Sequence, residues 1–266
     1  MTERHLDGLD PHLPIGQRPE PEVLVEPDKE ALAAAAGVRL LTAVAKAVSE
    51  RRVAHVALTG GSMGSAILAA AGAASVIGGD GIDWTQVHVW WGDERYLPAG
   101  DPERNDTQNG TALLDTLLAE GRLRPEHVHR VAGPDASSDA EASAAAYGAA
   151  IRADGAGLFD IVLLGMGPDA HVASLFPHHP AQRITDAIAV AVHDSPKPPP
   201  TRVSLTFECL ERSREVWFLV AGADKADAVC RALTPDADRW DVPAAGVRGL
   251  VATRWLLDRA AAQDLR

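Results

Sequence analysis

The chain has 266 residues, of which 46% are hydrophobic, and its formal net charge is −12 at pH 7. The length fits one large α/β domain or two small ones, and the apolar content is sufficient for a packed core. The acidic charge argues against nucleic-acid binding through bulk electrostatics, so an anionic ligand would need local cations or backbone N–H groups.

The cysteines and the first residues predict the compartment. Cys209 and Cys230 lack the spacing of CxxC or zinc motifs, which favours a reduced, cytoplasmic protein. Residues 1–16 are polar and interrupted by prolines, so we expect no signal peptide. No stretch approaches 18 uncharged apolar residues, and we therefore expect no membrane partner.

The first predicted elements follow a proline-rich segment. Residues 1–21 contain four prolines and little periodicity, which predicts a flexible N-terminal arm, followed by a single α/β domain over residues 22–266. Residues 22–25 form a candidate edge strand. Asp28 is a candidate helix N-cap, and apolar residues recur at every fourth position after it, which predicts a helix over residues 29–50.

Strands and helices then alternate along the chain. Strands are predicted at 53–58, 87–91, 128–131, 159–164, 184–192, 203–207, 216–220 and 250–252. Helices are predicted at 63–71, 105–118, 208–212 and 225–233, and another runs to about residue 153 after the capping-box spacing of Ser138 and Glu141. This alternation predicts an α/β fold with a mainly parallel sheet and helices on both faces, a Rossmann-like, doubly wound arrangement.

Residues that can bind an anion follow two of the predicted strands. The segment TGGS at 59–62 lies between a strand and a helix, an arrangement that directs N–H groups and a helix dipole at an anion, although it also suits an ordinary turn. Asp93, Glu94 and Arg95 follow the strand at 87–91. The planar guanidinium of Arg95 can bind phosphate, or it can form a structural ion pair with either carboxylate.

The stretch 158–177 combines a buried strand with reactive side chains. After the apolar run, Gly165 and Gly167 allow a tight turn, and Asp169 and His171 follow at once. Ligands of open α/β sheets collect at the carboxyl ends of strands, so this carboxylate and imidazole are a candidate catalytic pair. The alternative is a solvated turn without catalytic function.

Two further loops carry polar residues of interest. The proline-rich loop at 195–202 holds Lys197 and Arg202 on stiff backbone, either as cations for an anionic ligand or as part of a rigid surface linker. His178 and His179 are adjacent in a polar loop without a matching carboxylate cluster, so we expect them to be exposed and predict no metal site.

Four segments together resemble the 6-phosphogluconolactonases in order and spacing. They are TGGS at 59–62, WGDER at 91–95, GMGPDAHVASLFP at 165–177 and PPPTRVSLT at 198–206. The resemblance extends from about residue 23 to residue 255. It implies hydrolysis of 6-phospho-D-glucono-1,5-lactone to 6-phosphogluconate in the pentose phosphate pathway, without a metal or organic cofactor.

The chain departs from the family pattern at several positions. Ala170 and Val172 stand where the family usually has glycine and threonine, and Arg104 precedes Asn105 where serine is common. Alanine disfavours a positive φ, so its presence at 170 leaves open whether the turn requires that conformation. These changes leave the histidine, aspartate and arginine of the motifs in place.

The resemblance and the chemistry of a lactone imply specific roles. A lactone is already electrophilic, so its hydrolysis requires a positioned water, a base and stabilisation of a developing oxyanion. His171 is the expected base, because the unperturbed pKa of histidine suits proton transfer near neutral pH, and Asp169 is expected to orient it. The residues expected to bind the substrate and its phosphate are Gly60, Gly61, Ser62, Asp93, Arg95, Lys197 and Arg202.

Three alternatives stay open at this point. A Ser-His-Asp triad with Ser174 lacks a G-x-S-x-G elbow. An amino-sugar-phosphate isomerase or deaminase has a similar loop, but its continuation carries an acidic residue where this chain has ASLFP at 173–177. A non-catalytic sugar-phosphate sensor is the third alternative, although residues 1–21 are too short for a helix-turn-helix. The sequence leaves the oligomeric state open and is compatible with a monomer.

Overall fold

A computed structural model describes residues 8–78, 81–154 and 158–265, so residues 1–7 of the predicted N-terminal arm lie outside the described residues. Two sheets are built from strands that we number in chain order. The strands are β1 (Glu22–Glu26), β2 (Ala54–Leu58), β3 (Val87–Trp91), β4 (Asp93–Arg95), β5 (Ile161–Gly165), β6 (Ala189–Val192), β7 (Arg202–Leu205), β8 (Glu215–Val220) and β9 (Ala252–Asp258).

The larger sheet is parallel throughout its six strands, in the order β1-β9-β8-β5-β2-β3. The chain runs outward from β2 to β3 and then returns to the other side of β2 with β5. The strand order therefore reverses between β2 and β5, so the loops that leave the carboxyl ends of these two strands run to opposite sides. Such a reversal is where open α/β sheets bind ligands.

Helices cover both faces of this sheet, which confirms the predicted fold class. The helices are α1 (Lys29–Arg51), α2 (Gly61–Gly78), α3 (Asn105–Asn109), α4 (Asp115–Ala119), α5 (Ala140–Ala153), α6 (Phe207–Glu211) and α7 (Ala226–Leu233). In β5, Ile161 and Leu163 pack into one apolar core, while Val162 and Leu164 pack into the other. This alternation explains why the strand reads as a continuous apolar run.

Local residue chemistry sets the ends of the helices. Asp28 caps α1 by accepting a hydrogen bond from the N–H of Ala31, as predicted. Helix α5 is capped by Asp139, whose side chain accepts from Ala142, so the predicted capping box of Ser138 and Glu141 is wrong by one residue. A π-helical turn, Gly110–Leu114, joins α3 to α4 within the predicted helix.

The smaller sheet was not predicted. Strands β4, β7 and β6 are antiparallel, and the register pairs Arg95 with Arg202 and Asp93 with Ser204. A single residue, Gly92, separates β3 from β4, so the chain passes directly from one sheet to the other. This sheet brings the proline-rich loop to the carboxyl ends of the parallel strands.

Three predicted strands differ from the structure. The strand at 128–131 is limited to a single bridge between Val128 and Val89. The strand at 184–192 begins only at β6, because Pro180–Arg183 forms a 3₁₀ turn and an irregular segment follows it. The last strand is β9, which starts at the end of the predicted 250–252 segment and continues to Asp258.

Helix α1 reaches the length and mean hydropathy of a membrane span, although Arg39 and Lys46 interrupt it, so it is not an uncharged apolar stretch of 18 residues. Its residues Leu32, Leu40 and Val44 are buried in the same apolar core as β2 and β5. Core helices meet the same criteria, so this feature is weak evidence for a membrane.

Candidate active site

The turn after β5 holds the predicted catalytic pair. The N–H of Ala170 donates to the carbonyl of Gly167 at 2.9 Å, which closes the turn. A Cβ atom on Gly167 would lie 2.2 Å from the ring of His171 and 2.3 Å from Oδ1 of Asp169. A side chain at 167 would therefore displace His171 and Asp169, because both of their side chains lie directly over the backbone of Gly167.

The turn also answers the question raised by the alanine at 170. Ala170 has a φ of 68°, in the left-handed region, and its side chain is fully buried. The turn does require a positive φ, and this chain adopts it with an L-residue at a conformational cost. The methyl group packs into the apolar core beside Val172 and Leu175.

His171 and Asp169 form a hydrogen-bonded pair. Nδ1 of His171 lies 2.6 Å from Oδ1 of Asp169, and Nζ of Lys197 lies 3.4 Å from the same oxygen. Burial alone would raise the pKa of Asp169, but the hydrogen bond from His171 and the charges of His171 and Lys197 outweigh it and hold that pKa well below its usual range. An ionised Asp169 accepts the Nδ1 proton, which leaves the lone pair on Nε2 of His171.

Ser174 belongs to a different hydrogen-bond network. Its Oγ donates to Oδ2 of Asp93 at 2.6 Å, and its side chain is fully buried. Because the hydroxyl is bonded to Asp93 and not to His171, the arrangement does not form a Ser-His-Asp triad. The same Asp93 oxygen lies 3.8 Å from NH1 of Arg202, so this carboxylate links the loop after β5 to two strands of the smaller sheet.

Arg202 braces the loop that carries Lys197. Its Nε donates to the carbonyl of Pro199, and its NH2 donates to the carbonyls of Lys197 and Pro198. The side chain is almost fully buried. The guanidinium thus fixes the backbone of the loop, and the ammonium of Lys197, which is 40% exposed, is the group presented to solvent beside His171.

The anion-binding segment begins helix α2. Gly61 has a φ of 73°, and its N–H donates to Oε1 of Gln108 at 3.3 Å, while Ser62 is exposed in the first turn. Arg95 lies on β4, its NH1 donates to the carbonyl of Glu103, and its Nε is buried without a hydrogen-bond partner. The candidate site therefore combines N–H groups at the N-terminus of α2 with the cationic side chains of Arg95 and Lys197.

The role of Glu94, close to this segment, was missed by sequence reasoning. Glu94 is buried, and its two oxygens accept from the N–H groups of Asn105 and Asp106 at 2.7 and 2.8 Å, so it caps α3 from a distance in sequence. Burial and the nearby carboxylate of Asp106 raise the pKa of Glu94 to about 8, against the opposing charge of Arg104. The signal in the sequence was Glu94 itself, which was interpreted only as a possible ion-pair partner of Arg95, whereas its neighbour Asp93 was also predicted to bind substrate.

The histidines at 178 and 179 do not form a metal site. His178 lies 3.5 Å from Oδ1 of Asp241, and Nε2 of His179 lies 2.8 Å from the carbonyl of His193. Within the described residues, no group of three or more His, Cys, Asp or Glu side chains is placed to hold a metal ion.

Comparison with known families identifies the kind of protein that carries this site. Residues 27–255 match the family described as glucosamine-6-phosphate isomerases/6-phosphogluconolactonase. The chain belongs to this family. The family resemblance predicted from the four motifs is therefore confirmed.

Relatives within this family cover nearly the whole chain. A 6-phosphogluconolactonase from Streptomyces coelicolor is 49% identical over 254 residues, which span 92% of this chain and 95% of the relative. One from Mycobacterium tuberculosis is 46% identical over 246 residues, covering 90% and 96% of the two chains. The solved 6-phosphogluconolactonase from Trypanosoma brucei matches with a TM-score of 0.77 at 25% identity, covering 93% and 99%.

The fold alone does not separate the two activities of the family. A solved monomeric glucosamine-6-phosphate deaminase matches with a TM-score of 0.75 at 19% identity, covering 92% of this chain and all of the deaminase. The side chains of the site must therefore distinguish a lactonase from a deaminase.

Proposed function

We propose that this protein hydrolyses 6-phospho-D-glucono-1,5-lactone to 6-phospho-D-gluconate, a step of the pentose phosphate pathway. The observation that carries the proposal is the hydrogen-bonded pair of His171 and Asp169 beside Lys197, at the carboxyl ends of β5 and β2. The high identity to named lactonases over almost the full length supports the same activity.

His171 acts as the general base in this proposal. Nε2 takes a proton from water as the water oxygen attacks the lactone carbonyl carbon, which gives a tetrahedral oxyanion. Collapse of the oxyanion breaks the bond to the ring oxygen, and the imidazolium returns its proton to that oxygen. Asp169 holds the Nδ1 proton throughout and stabilises the imidazolium, since its low pKa keeps it ionised. The new carboxyl group then loses its proton to solvent.

Binding relies on backbone N–H groups and on cations. The substrate phosphate lies at the N-terminus of α2, on the N–H groups of Gly60, Gly61 and Ser62, where the helix dipole favours an anion. A phosphate oxygen replaces the side-chain oxygen of Gln108, which accepts from the N–H of Gly61 at 3.3 Å. Arg95 and Lys197 supply local positive charge, which an anionic substrate needs because the net charge of the chain is −12. Asp93 and Arg202 shape the site: Asp93 is a hydrogen-bond acceptor at its edge, and Arg202 holds the Lys197 loop.

The deaminase alternative requires a carboxylate after the histidine turn to move protons between carbons. In this chain the turn continues into Leu175 and Phe176, which are buried, with the ring of Phe176 packed 4.5 Å from that of His171. An apolar wall at this position offers no proton acceptor. The sensor alternative is disfavoured because a hydrogen-bonded histidine and an ionised aspartate are arranged for proton transfer.

The proposal is tested by lactone hydrolysis with wild type and His171→Ala. The lactone is generated in situ from glucose 6-phosphate, and 6-phosphogluconate is followed above the spontaneous rate. Loss of the general base is expected to lower kcat by about 10²–10⁴-fold. His178→Ala, an exposed histidine paired with Asp241, is the matched control and is expected to keep full activity. Equal rates for wild type and His171→Ala would contradict the assignment, and ammonia release from glucosamine 6-phosphate would favour the deaminase.

We further propose that residues 22–266 form a single catalytic domain and that the protein acts in the cytoplasm as a monomer. The expectation of a flexible arm over residues 1–21 does not fit its described part, because Arg18 is buried and its guanidinium donates to the carbonyls of Glu211 and Arg248 in the domain. Light scattering after size-exclusion chromatography tests the monomeric state. The mass of one chain supports it, and the mass of two chains overturns it.

A further inference from the structure

Asn105 lies between two segments of the proposed site. It is the first residue of α3, and its side chain is buried. Its Nδ2 donates to the backbone carbonyl of Asp93 at 2.8 Å and lies 3.3 Å from the carboxylate Oδ1 of the same residue. Both partners are acceptors, which fixes the amide with its nitrogen towards Asp93 and its oxygen on the other side.

The amide oxygen of Asn105 faces the anion-binding segment. A Cβ atom on Gly60 would lie 1.7 Å from Oδ1 and 2.2 Å from Cγ of Asn105, and its three nearest atoms would all belong to that side chain. Gly60 does not have a positive φ, so glycine is required here to make room for Asn105 and not to allow a special backbone conformation. The amide thus packs directly against the backbone of the segment.

This contact is costly for the folded protein. Oδ1 of Asn105 is buried and has no hydrogen-bond partner, and an unpaired buried acceptor destabilises the native state. Asn105 is held in place independently, because its N–H donates to Glu94. The amide of Asn105 is buried, its oxygen is unpaired, and it packs against a glycine of the binding segment. This combination indicates that Asn105 positions the backbone of that segment.

We propose that Asn105 is a positioning residue that sets the distance between the segment Gly60–Ser62 and Asp93, and so determines the affinity for phosphorylated substrates. The inference rests on the proposed phosphate site at that segment. Asn105 does not touch the substrate, because its amide is buried. It acts by holding the N–H groups of residues 60–62 at a fixed distance from Asp93. A sugar phosphate can then contact those N–H groups and Asp93 at the same time.

The test compares Asn105→Ala, Gly60→Ala and the double variant. Each single change breaks the packing, and each is expected to raise KM for the phosphorylated lactone about tenfold while kcat changes less than about threefold. The inhibition constant of inorganic phosphate is expected to rise in parallel. In the double variant, the methyl group added at position 60 occupies the space that the amide of Asn105 leaves, so KM is expected to rise less than the two single effects combined.

Asn109→Ala is the matched control on the same helix. Asn109 is a buried asparagine four residues further along, and its Oδ1 accepts from Nε1 of Trp91 in the core and not from the binding segment. Its loss is expected to lower the melting temperature with KM unchanged. A purely structural role for Asn105 would give the same result in Asn105→Ala, and the inference would then be wrong.

The wild type separates failure of this inference from failure of the proposed function. If inorganic phosphate does not compete with the lactone in wild type, the proposed phosphate site is wrong and the inference fails with it. If phosphate competes equally well in wild type and in Asn105→Ala, the site stands and only the inference is overturned. Strictly additive effects of the two single changes on KM would also overturn it. If Asn105→Ala does not fold, the same values of KM and of the phosphate inhibition constant are measured for Asn105→Ser and Gly60→Ala and compared with wild type.

Discussion

At the scale of single residues, the site depends on side chains that lie unusually close to backbone. Gly167 lies beneath the pair of His171 and Asp169, and Gly60 lies beneath Asn105. In both places a glycine allows a polar side chain to pack where a Cβ atom would otherwise stand. The geometry of the His171–Asp169 pair therefore depends on Gly167 as well as on the hydrogen bond between the two side chains.

Gly167→Ala is expected to lower kcat about 100-fold. The added Cβ would overlap the ring of His171 and the carboxylate of Asp169, so both side chains must move, and small displacements of a general base are costly for catalysis. Gly92→Ala is the control, because its Cβ would meet Leu164 and Leu58 no closer than 3.7 Å. Steady-state lactone hydrolysis measures both variants. Full activity of Gly167→Ala would show that the turn adapts and that Gly167 does not determine the positions of His171 and Asp169.

Asp169→Asn tests how the carboxylate supports the histidine. The pKa of Asp169 is held well below its usual range, so this residue stays ionised across the range in which lactonase assays are run. Removing its charge destabilises the imidazolium, so we expect a lower kcat and an acid limb of the kcat/KM profile that moves to lower pH. A profile with an unchanged midpoint would show that the carboxylate does not act on His171.

The sequence predicted His171 and Asp169 as a candidate catalytic pair, and residues 59–62 as a candidate anion-binding segment, because each follows a strand within a few residues. The structure brings His171 and Asp169 into contact, and the roles of both sites stay predictions. The sequence did not predict that Ser174 bonds to Asp93, that Arg202 braces a loop, or that Glu94 caps α3. Those contacts join residues that are separated in sequence by between 5 and 81 positions. They depend on how the two sheets are placed relative to each other, and the local periodicity of the sequence does not predict that placement.

At the scale of elements, strands with strong apolar runs were predicted closely, and short polar strands were not. Strand β3 matches its predicted range, and β2 and β8 match theirs within one residue. Strand β4 has only three residues, all charged, so it carries no apolar signal, and it forms through pairing with β7. The smaller sheet was missed for this reason.

The C-terminal end of α1 offers a prediction about stability. Arg52 follows the helix with a φ of 65°, its N–H donates to the carbonyl of Val48, and the residue is exposed. Glycine adopts this conformation without the cost that an L-residue bears, so Arg52→Gly is expected to stabilise the protein by about 1 kcal/mol. Urea unfolding measures the change, and Arg52→Ala, which keeps a Cβ atom, is expected to give no such gain. Equal stabilities of the two variants would contradict this explanation.

At the scale of the whole molecule, the two ends of the parallel sheet carry different chemistry. The carboxyl ends hold the proposed site. The amino ends hold a cluster of histidines, in which the rings of His88 and His127 stack at 3.8 Å and Nδ1 of His88 lies 2.9 Å from Nε2 of His129. His55 lies beside His88 on the neighbouring strand, with ring centroids 4.7 Å apart. The cluster is separated from the site by the length of the strands.

This cluster is expected to make stability depend on pH. Burial, together with the charges of His127 and His129, lowers the pKa of His88 to about 4 from an ordinary value of 6.5. Between these two values the unfolded chain binds more protons at this position than the folded protein does. The free energy of unfolding therefore rises with pH across this window, and the contribution is lost as the pH falls from about 6.5 to about 4.

His88→Phe keeps an aromatic ring in the stack and removes the titrating group. Chemical denaturation at pH 7 and at pH 5 is expected to show a smaller difference in unfolding free energy for this variant than for wild type. His178→Gln, an exposed histidine paired with Asp241, is the control and is expected to keep the wild-type difference. Lactone hydrolysis by His88→Phe at pH 7 is expected to equal that of wild type, because the cluster lies at the opposite end of the sheet from His171. If the pH difference persists in His88→Phe, the acid sensitivity arises elsewhere; if activity falls as well, the two ends of the sheet are coupled.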